Sequence, residues 1–217
     1  MNHSKFPKFL STLVSVFAFL VLFIGSSQAA QFEEGKHFIV IKGAAPSAKT
    51  ITEYFSFYCP HCFRREPVIK ELQGAVAKDV RFNKINVDSM PGRKIAMEHA
   101  LTKALITANI LNVKDKMIPA IFNYIHISHA DFDTRKDIKN LFMINGVDGD
   151  TFDKTFSSFA VKREFNRMQN KTQFIRDQGI TTVPTLIING KFKPLERSIK
   201  SMDEYKALVT FLLNKQV

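Results

Sequence analysis

The spacing of apolar positions changes several times along the chain, and each change marks an element. Residues 9–24 are continuously apolar apart from Ser11, Thr12 and Ser15. Residues 36–41 form a short apolar run that reads as a strand. A turn region containing Pro46 follows. Residues 50–58 (TITEYFSFY) are β-branched and aromatic throughout, the strongest strand signal in the chain. From 63 to 77 the period becomes helical, with Val68, Ile69, Leu72, Ala75 and Val76 on one side. Residues 80–87 (VRFNKINV) alternate as a strand does. Strand, helix and strand in that order predict a parallel pair joined by a right-handed crossover.

Met90-Pro91-Gly92 then breaks the chain. From Arg93 to about Gly179 the pattern is helical in several short pieces. Pro119 lies inside this region, Asn145-Gly146 and Asp148-Gly149 separate its later segments, and Asp150 or Thr151 is placed to cap a helix. Residues 184–189 (PTLIIN) read as a strand, Asn189-Gly190 as a hairpin turn into Lys191-Phe192, and 203–214 as a closing helix. That helix carries Tyr205, Leu208, Val209, Phe211 and Leu212 on its apolar face. The economical arrangement is an α/β domain interrupted by a helical block, since both halves of the sheet then share one core.

The first apolar run belongs to no fold. Lys5 and Lys8 precede it, small residues follow, and Ser27-Gln28-Ala29 supplies a cleavage pattern. A cleaved export leader over residues 1–29 is expected. The alternative, an uncleaved anchor, has 16 apolar residues where roughly 20 are needed to span a bilayer. The formal charge of the chain is +11, of which the leader's two lysines are part. Lys and Arg are spread along the chain with no run of five, and no nucleic-acid motif accompanies them, so nucleic-acid binding is not expected. Phenylalanine (21) is abundant and tryptophan absent, which points to a core packed on Phe rings.

The chemistry is concentrated in the two cysteines of the whole chain, Cys59 and Cys62, three positions apart where a strand runs into a helix. The thiolate is the reactive form of cysteine, and an ordinary thiol is only a few per cent ionised near neutral pH. Cys59 falls at the helix N-cap, where unpaired N–H groups and the helix dipole favour an anion. Pro60 at the first helical position forgoes no bond and fits the turn. His61, if protonated, adds positive charge beside Cys59, and Arg64 and Arg65 one turn on push the same way. Cys62 has the geometry to attack Cys59 in a mixed disulfide. As a structural staple so small a loop adds little. A metal site has no second cysteine pair, and His126 and His129 read as solvated.

Two further features leave alternatives open. Glu53 lies on the same strand face as Ile51, Phe55 and Phe57: it is either buried with a raised pKa and able to relay protons, or a solvated carboxylate at a sheet edge. Pro184 is either an ordinary trans residue at a strand start or a cis proline; base rates favour trans.

The start AQFEEGKHF, the strand and motif EYFSFYCPHC, the helical block and TTVPTLIINGK together resemble the DsbA family of periplasmic protein-disulfide oxidants, over the whole chain after the leader. The resemblance implies a thioredoxin fold with an inserted all-helical domain. The thioredoxin-like part would comprise 30–91 and 180–217, and the insertion 92–179. It implies an exposed Cys59 attacked by client thiols and a buried Cys62, with His61 stabilising the Cys59 thiolate. Pro184 would be a cis proline facing the disulfide, and Val183 would contact substrate backbone. Glu53 would be a buried carboxylate beneath the site, Lys84 its partner, and Glu66 a second acidic position on the active-site helix. The redox-active Cys59–Cys62 disulfide would serve without a further cofactor. Substrates would be reduced exported proteins, and a DsbB-like membrane quinone reductase would restore the disulfide. A periplasmic monomer is expected. Family members commonly carry tryptophan in the helical domain, and this chain has none.

Overall fold

The structure, a computed structural model, describes residues 32–43 and 48–215; the expected leader and its cleavage point lie outside them. Five strands form one mixed sheet: β1 (Phe38–Val40), β2 (Thr50–Phe55), β3 (Arg81–Asn86), β4 (Thr185–Ile188) and β5 (Phe192–Pro194), in the order β1-β5-β4-β2-β3. β2 and β3 are parallel and are joined through α1 (Pro60–Ala75), the crossover that the strand–helix–strand pattern predicts. The other pairings are antiparallel. Between β3 and β4 come α2 (Ile95–Ile110), α3 (Lys114–His126), α4 (Arg135–Ile144), α5 (Gly149–Phe156) and α6 (Phe159–Asp177), and α7 (Met202–Asn214) ends the fold. This is a thioredoxin fold with a helical insertion. Among the described residues no helix is long and apolar enough to cross a membrane.

Several local choices explain the elements. At the β4–β5 hairpin both Asn189 (φ 49°) and Gly190 (φ 64°) are left-handed, as the tight hairpin turn requires. The Asn189 amide then works in both directions. Its Oδ1 accepts from the Thr50 N–H, and its Nδ2 donates to the Leu212 and Leu213 carbonyls at the end of α7. Those are among the carbonyls a helix end leaves unpaired. The α5 cap is Asp148, whose carboxylate accepts the Thr151 N–H at 2.8 Å, rather than the expected Asp150 or Thr151. Pro119 sits at the sixth residue of α3 without ending it; there it forgoes only the one N–H bond back to the preceding turn. On α1 the buried positions are Cys62, Ile69 and Leu72, while Ala75 is exposed and Val76 is the C-cap. The last turn of that helix leaves the core, so its apolar face is shorter than the pattern suggests.

Two faces of the sheet meet different neighbours. Tyr54, Ile85 and Ile187 pack against Ile175 of α6. Phe55 and Phe57 join Met97, Leu101, Met117 and Phe122 in the core of the insertion, and Cys59 and Cys62 belong to that same cluster. The Phe55, Phe57 and Phe122 rings lie 5.0–5.8 Å apart in tilted and edge-on pairs, an arrangement that adds to their area burial. The insertion therefore forms one wall beneath the cysteine pair.

Candidate active site

The strand expected to reach Tyr58 ends at Phe55, and the reason lies in two side chains. The Asn86 Oδ1 takes the Phe57 N–H at 3.0 Å, and Ser56 closes a turn by accepting the Tyr58 N–H on Oγ (3.2 Å) and the Cys59 N–H on its carbonyl (3.0 Å). This turn delivers Cys59 as the N-cap of α1, with Pro60 following at the helix start. The Cys62 N–H donates to the Cys59 Sγ at 3.3 Å.

The two sulfurs are electrostatically unlike. The Cys59 pKa is lowered to about 6, first by the Cys62 thiol donating to it, against burial, and then by the Cys62 and His61 N–H groups and the charge of His61. Cys62 is pushed up by that same thiol hydrogen bond and by burial, with the Cys59 and Glu53 charges adding. Cys62 is fully buried. Cys59, expected to be exposed, retains only 4% of its surface. Its backbone is folded into the cap turn, and its Sγ lies 3.7 Å from the Val183 carbonyl. The Val183–Pro184 bond is cis.

The basic residues divide. Arg64 Nη2 is 2.9 Å from His61 Nδ1. A guanidinium has no acceptor, so in this contact Arg64 can only donate. Arg65, expected to push with Arg64 on Cys59, points elsewhere: it forms a two-pronged pair with Glu196 and donates to the Tyr205 hydroxyl at 3.3 Å.

Glu53 lies beneath the cysteines on β2, a central strand, and is fully buried; the solvated sheet-edge alternative does not hold. Parallel pairing places it opposite Lys84 of β3. The Lys84 ammonium lies 2.5 Å from Glu53 Oε2 and 2.6 Å from Glu66 Oε1, joining strand, strand and helix. Burial raises the Glu53 pKa against the pull of Lys84, and the Glu66 charge adds to the rise. Burial opposes the Lys84 charge, but the two carboxylates hold its pKa above the ordinary value. Glu53 Oε1 is buried with no hydrogen-bond partner.

Four residues to which the sequence assigns no part in the site support it. His126, expected in solvent, stacks on Phe63 (centroids 5.1 Å apart, planes 10°) and its Nε2 lies 2.8 Å from the Phe57 carbonyl. It ties α3 to the turn before Cys59. Tyr58 donates to Asp131 Oδ1 at 2.8 Å, and Arg93 holds Asp131 Oδ2 at 2.7 Å while lying 4.3 Å over the Tyr58 ring. The only hint of these in the sequence is polarity beside an apolar run, which does not name a partner. Among the described residues, no group of three His, Cys, Asp or Glu is placed to hold a metal ion.

A family model described as the DSBA-like thioredoxin domain matches residues 50–206. The chain is 30% identical over 200 residues to the thiol:disulfide interchange protein DsbA of Yersinia pestis, covering 88% of this chain and 93% of that one. It is 31% identical over 215 residues to the protein of that name from Haemophilus influenzae, covering 95% of each. Among solved structures, a cysteine-to-serine variant of Proteus mirabilis DsbA with the peptide PWATCDS bound non-covalently superposes with a TM-score of 0.76 at 27% identity, over 86% of this chain and all of that one. Klebsiella pneumoniae DsbA gives 0.74 at 26% identity with the same coverage.

Proposed function

The chain belongs to the DSBA-like thioredoxin domain family and is an oxidoreductase, and from that premise we propose that it donates the Cys59–Cys62 disulfide to newly exported proteins in the periplasm. The observation that carries this reading is the asymmetry of the pair: a Cys59 pKa lowered to about 6 beside a Cys62 pushed the other way. Stabilising one thiolate stabilises the reduced pair, and a stabilised reduced form makes the disulfide a stronger oxidant.

A client thiolate attacks the Cys59 sulfur, the Cys59–Cys62 bond breaks, and its electron pair leaves on Cys62. A mixed disulfide now joins client and Cys59. A second client thiolate attacks the client sulfur, forming the client disulfide and releasing Cys59 as a thiolate. Both enzyme sulfurs end reduced and the client ends oxidised. The low pKa makes Cys59 a good leaving group in the second step. Cys62 is a poor one in the first unless it takes up a proton. Glu53, buried with a raised pKa and an unpartnered oxygen, is suited to deliver it. Lys84 and Glu66 hold that carboxyl in place. Val183 and Pro184 stand over Cys59, where Val183 can meet the backbone of a client. The cysteine-containing peptide bound by the Proteus mirabilis relative supports peptide thiols as the substrate class. The disulfide serves without a further cofactor, a DsbB-like membrane quinone reductase restores it, and the protein acts as a monomer.

The test is the equilibrium of the purified protein with reduced and oxidised glutathione, read by alkylation and mass. The pair is expected to stay reduced until the buffer is strongly oxidising. A pair that remains oxidised in reducing buffer would refute the proposal. In the same assay His61→Ser should give a less oxidising protein, by roughly threefold to tenfold in the equilibrium constant, where tenfold is about 30 mV. The effect is limited because the backbone N–H groups at positions 61 and 62 remain. An unchanged constant would remove the His61 side chain from the mechanism.

A further inference from the structure

A cavity of about 120 Å³ opens against the outer edge of β3, among α2, α3 and α6, with neither cysteine in its lining. Its charged lining is four cations, Lys84, Lys114, Arg167 and Lys171, and one acid, Glu164. Two of the cations already have counterions. Lys84 is held by Glu53 and Glu66. Arg167 grips both oxygens of Glu164, from Nε at 2.7 Å and Nη2 at 2.5 Å. The ammonium groups of Lys114 and Lys171 make no ion pair or hydrogen bond among the described residues. Lys171 is half-buried, and burial and then the neighbouring Arg167 both work against its charge, with Glu164 only partly offsetting them. The side-chain amides of Asn83 and Asn109 line the same space without a hydrogen-bond partner among the described residues.

The cavity therefore gathers two ammonium groups outside any ion pair and two free amide donors around a space the size of a small ligand. We propose that it binds a phosphate group, free or carried on a small ester. A phosphate monoester carries about −1.5 to −2 charge at neutral pH and three strong acceptor oxygens, which matches these two ammonium groups. A single carboxylate leaves one of them unmatched, and an uncharged ligand leaves both. The amides of Asn83 and Asn109 donate to the remaining oxygens.

The test titrates the purified protein with inorganic phosphate and, in parallel, with glycerol 3-phosphate, at constant ionic strength balanced by chloride. Binding is read from the thermal midpoint and from phosphorus-31 line broadening. A saturable rise of roughly 5–10 °C is expected at a hundredfold excess over the dissociation constant. Lys114→Ala and Lys171→Ala should each weaken binding by about tenfold, the loss of one charged contact. Lys171→Arg should retain binding. Lys103→Ala should bind as the wild type does, because Lys103 lies over the Phe165 ring (5.2 Å) and outside the cavity lining. Tighter binding of the ester identifies an organic phosphate as the ligand, and tighter binding of the inorganic ion identifies free phosphate. A rise that chloride alone reproduces, or one that survives in the Lys114→Ala/Lys171→Ala double variant, would overturn the proposal. Neither readout involves disulfide transfer, so failure here leaves the oxidase reading untouched.

Discussion

Cys59→Ser should reduce client oxidation to the rate seen without enzyme, whereas Cys62→Ser should accumulate client proteins linked through Cys59. The two variants differ because the sulfurs do. With a pKa of about 6, Cys59 is about nine tenths ionised at pH 7, against about 3% for an ordinary thiol, so roughly thirtyfold more thiolate is present. Cys62 is buried and protonated; besides being the leaving group of the first step, it is the one enzyme sulfur that can reverse a stalled mixed disulfide, by attacking Cys59 and releasing the client thiol. Its removal leaves the covalent complex without an internal escape. Non-reducing gels of the variants after exposure to reduced, unfolded substrate together with oxidised glutathione, the oxidant that a lone Cys59 needs to form a mixed disulfide, would read the result. A Cys62→Ser protein that never forms adducts under oxidising conditions would rule out the scheme.

The same asymmetry has a pH signature in the reduced protein. The Cys59 pKa is lower folded than unfolded, so the unfolded state binds more protons between the two values and stability rises with pH there. The contribution is complete above about 8.5, the ordinary cysteine value, and is lost as pH falls through about 6. Reduced wild type should therefore gain stability across that window in a denaturant titration, and reduced Cys59→Ser should not.

Much of this site is legible in the chain, for identifiable reasons. Cys-Pro-His-Cys at a strand-to-helix junction is local chemistry: the N-cap position and the proline after it depend on neighbours within four residues. The β2–α1–β3 unit follows from changes of apolar period. Glu53 is different. Alternation assigns it to a strand face, but how deep that face lies depends on β4 pairing with β2 from the far end of the chain. Only that pairing makes β2 central. Arg65 and His126 fail for a related reason. Helical spacing puts Arg65 near Arg64, yet its direction is decided by Glu196, 131 residues away. His126 finds its acceptor 69 residues away, on a turn that local pattern assigns to a strand. Long-range partners for polar groups are the part that periodicity does not encode.

The buried carboxylate yields the largest stability effect. Lys84→Met is expected to destabilise the protein by about 3–5 kcal/mol near pH 8, because it strands a buried charge. Glu53→Gln should cost much less, since Lys84 keeps Glu66 at 2.6 Å and remains partly exposed. The Lys84→Met/Glu53→Gln double variant should recover most of the loss. The pH dependence distinguishes this from a packing defect. Glu53 already titrates above its ordinary value in the folded protein, and removing Lys84 takes away the main influence that opposes burial. For a folded pKa above the unfolded one, the folded state binds more protons between the two, and stability falls as pH rises there. The Lys84→Met deficit should therefore shrink as the pH falls and Glu53 takes up its proton, and grow as the pH rises. In the double variant it should be flat. A Lys84→Met deficit that does not change with pH would mean that the lysine stem supplies packing, and that the charge on Glu53 is held by other groups.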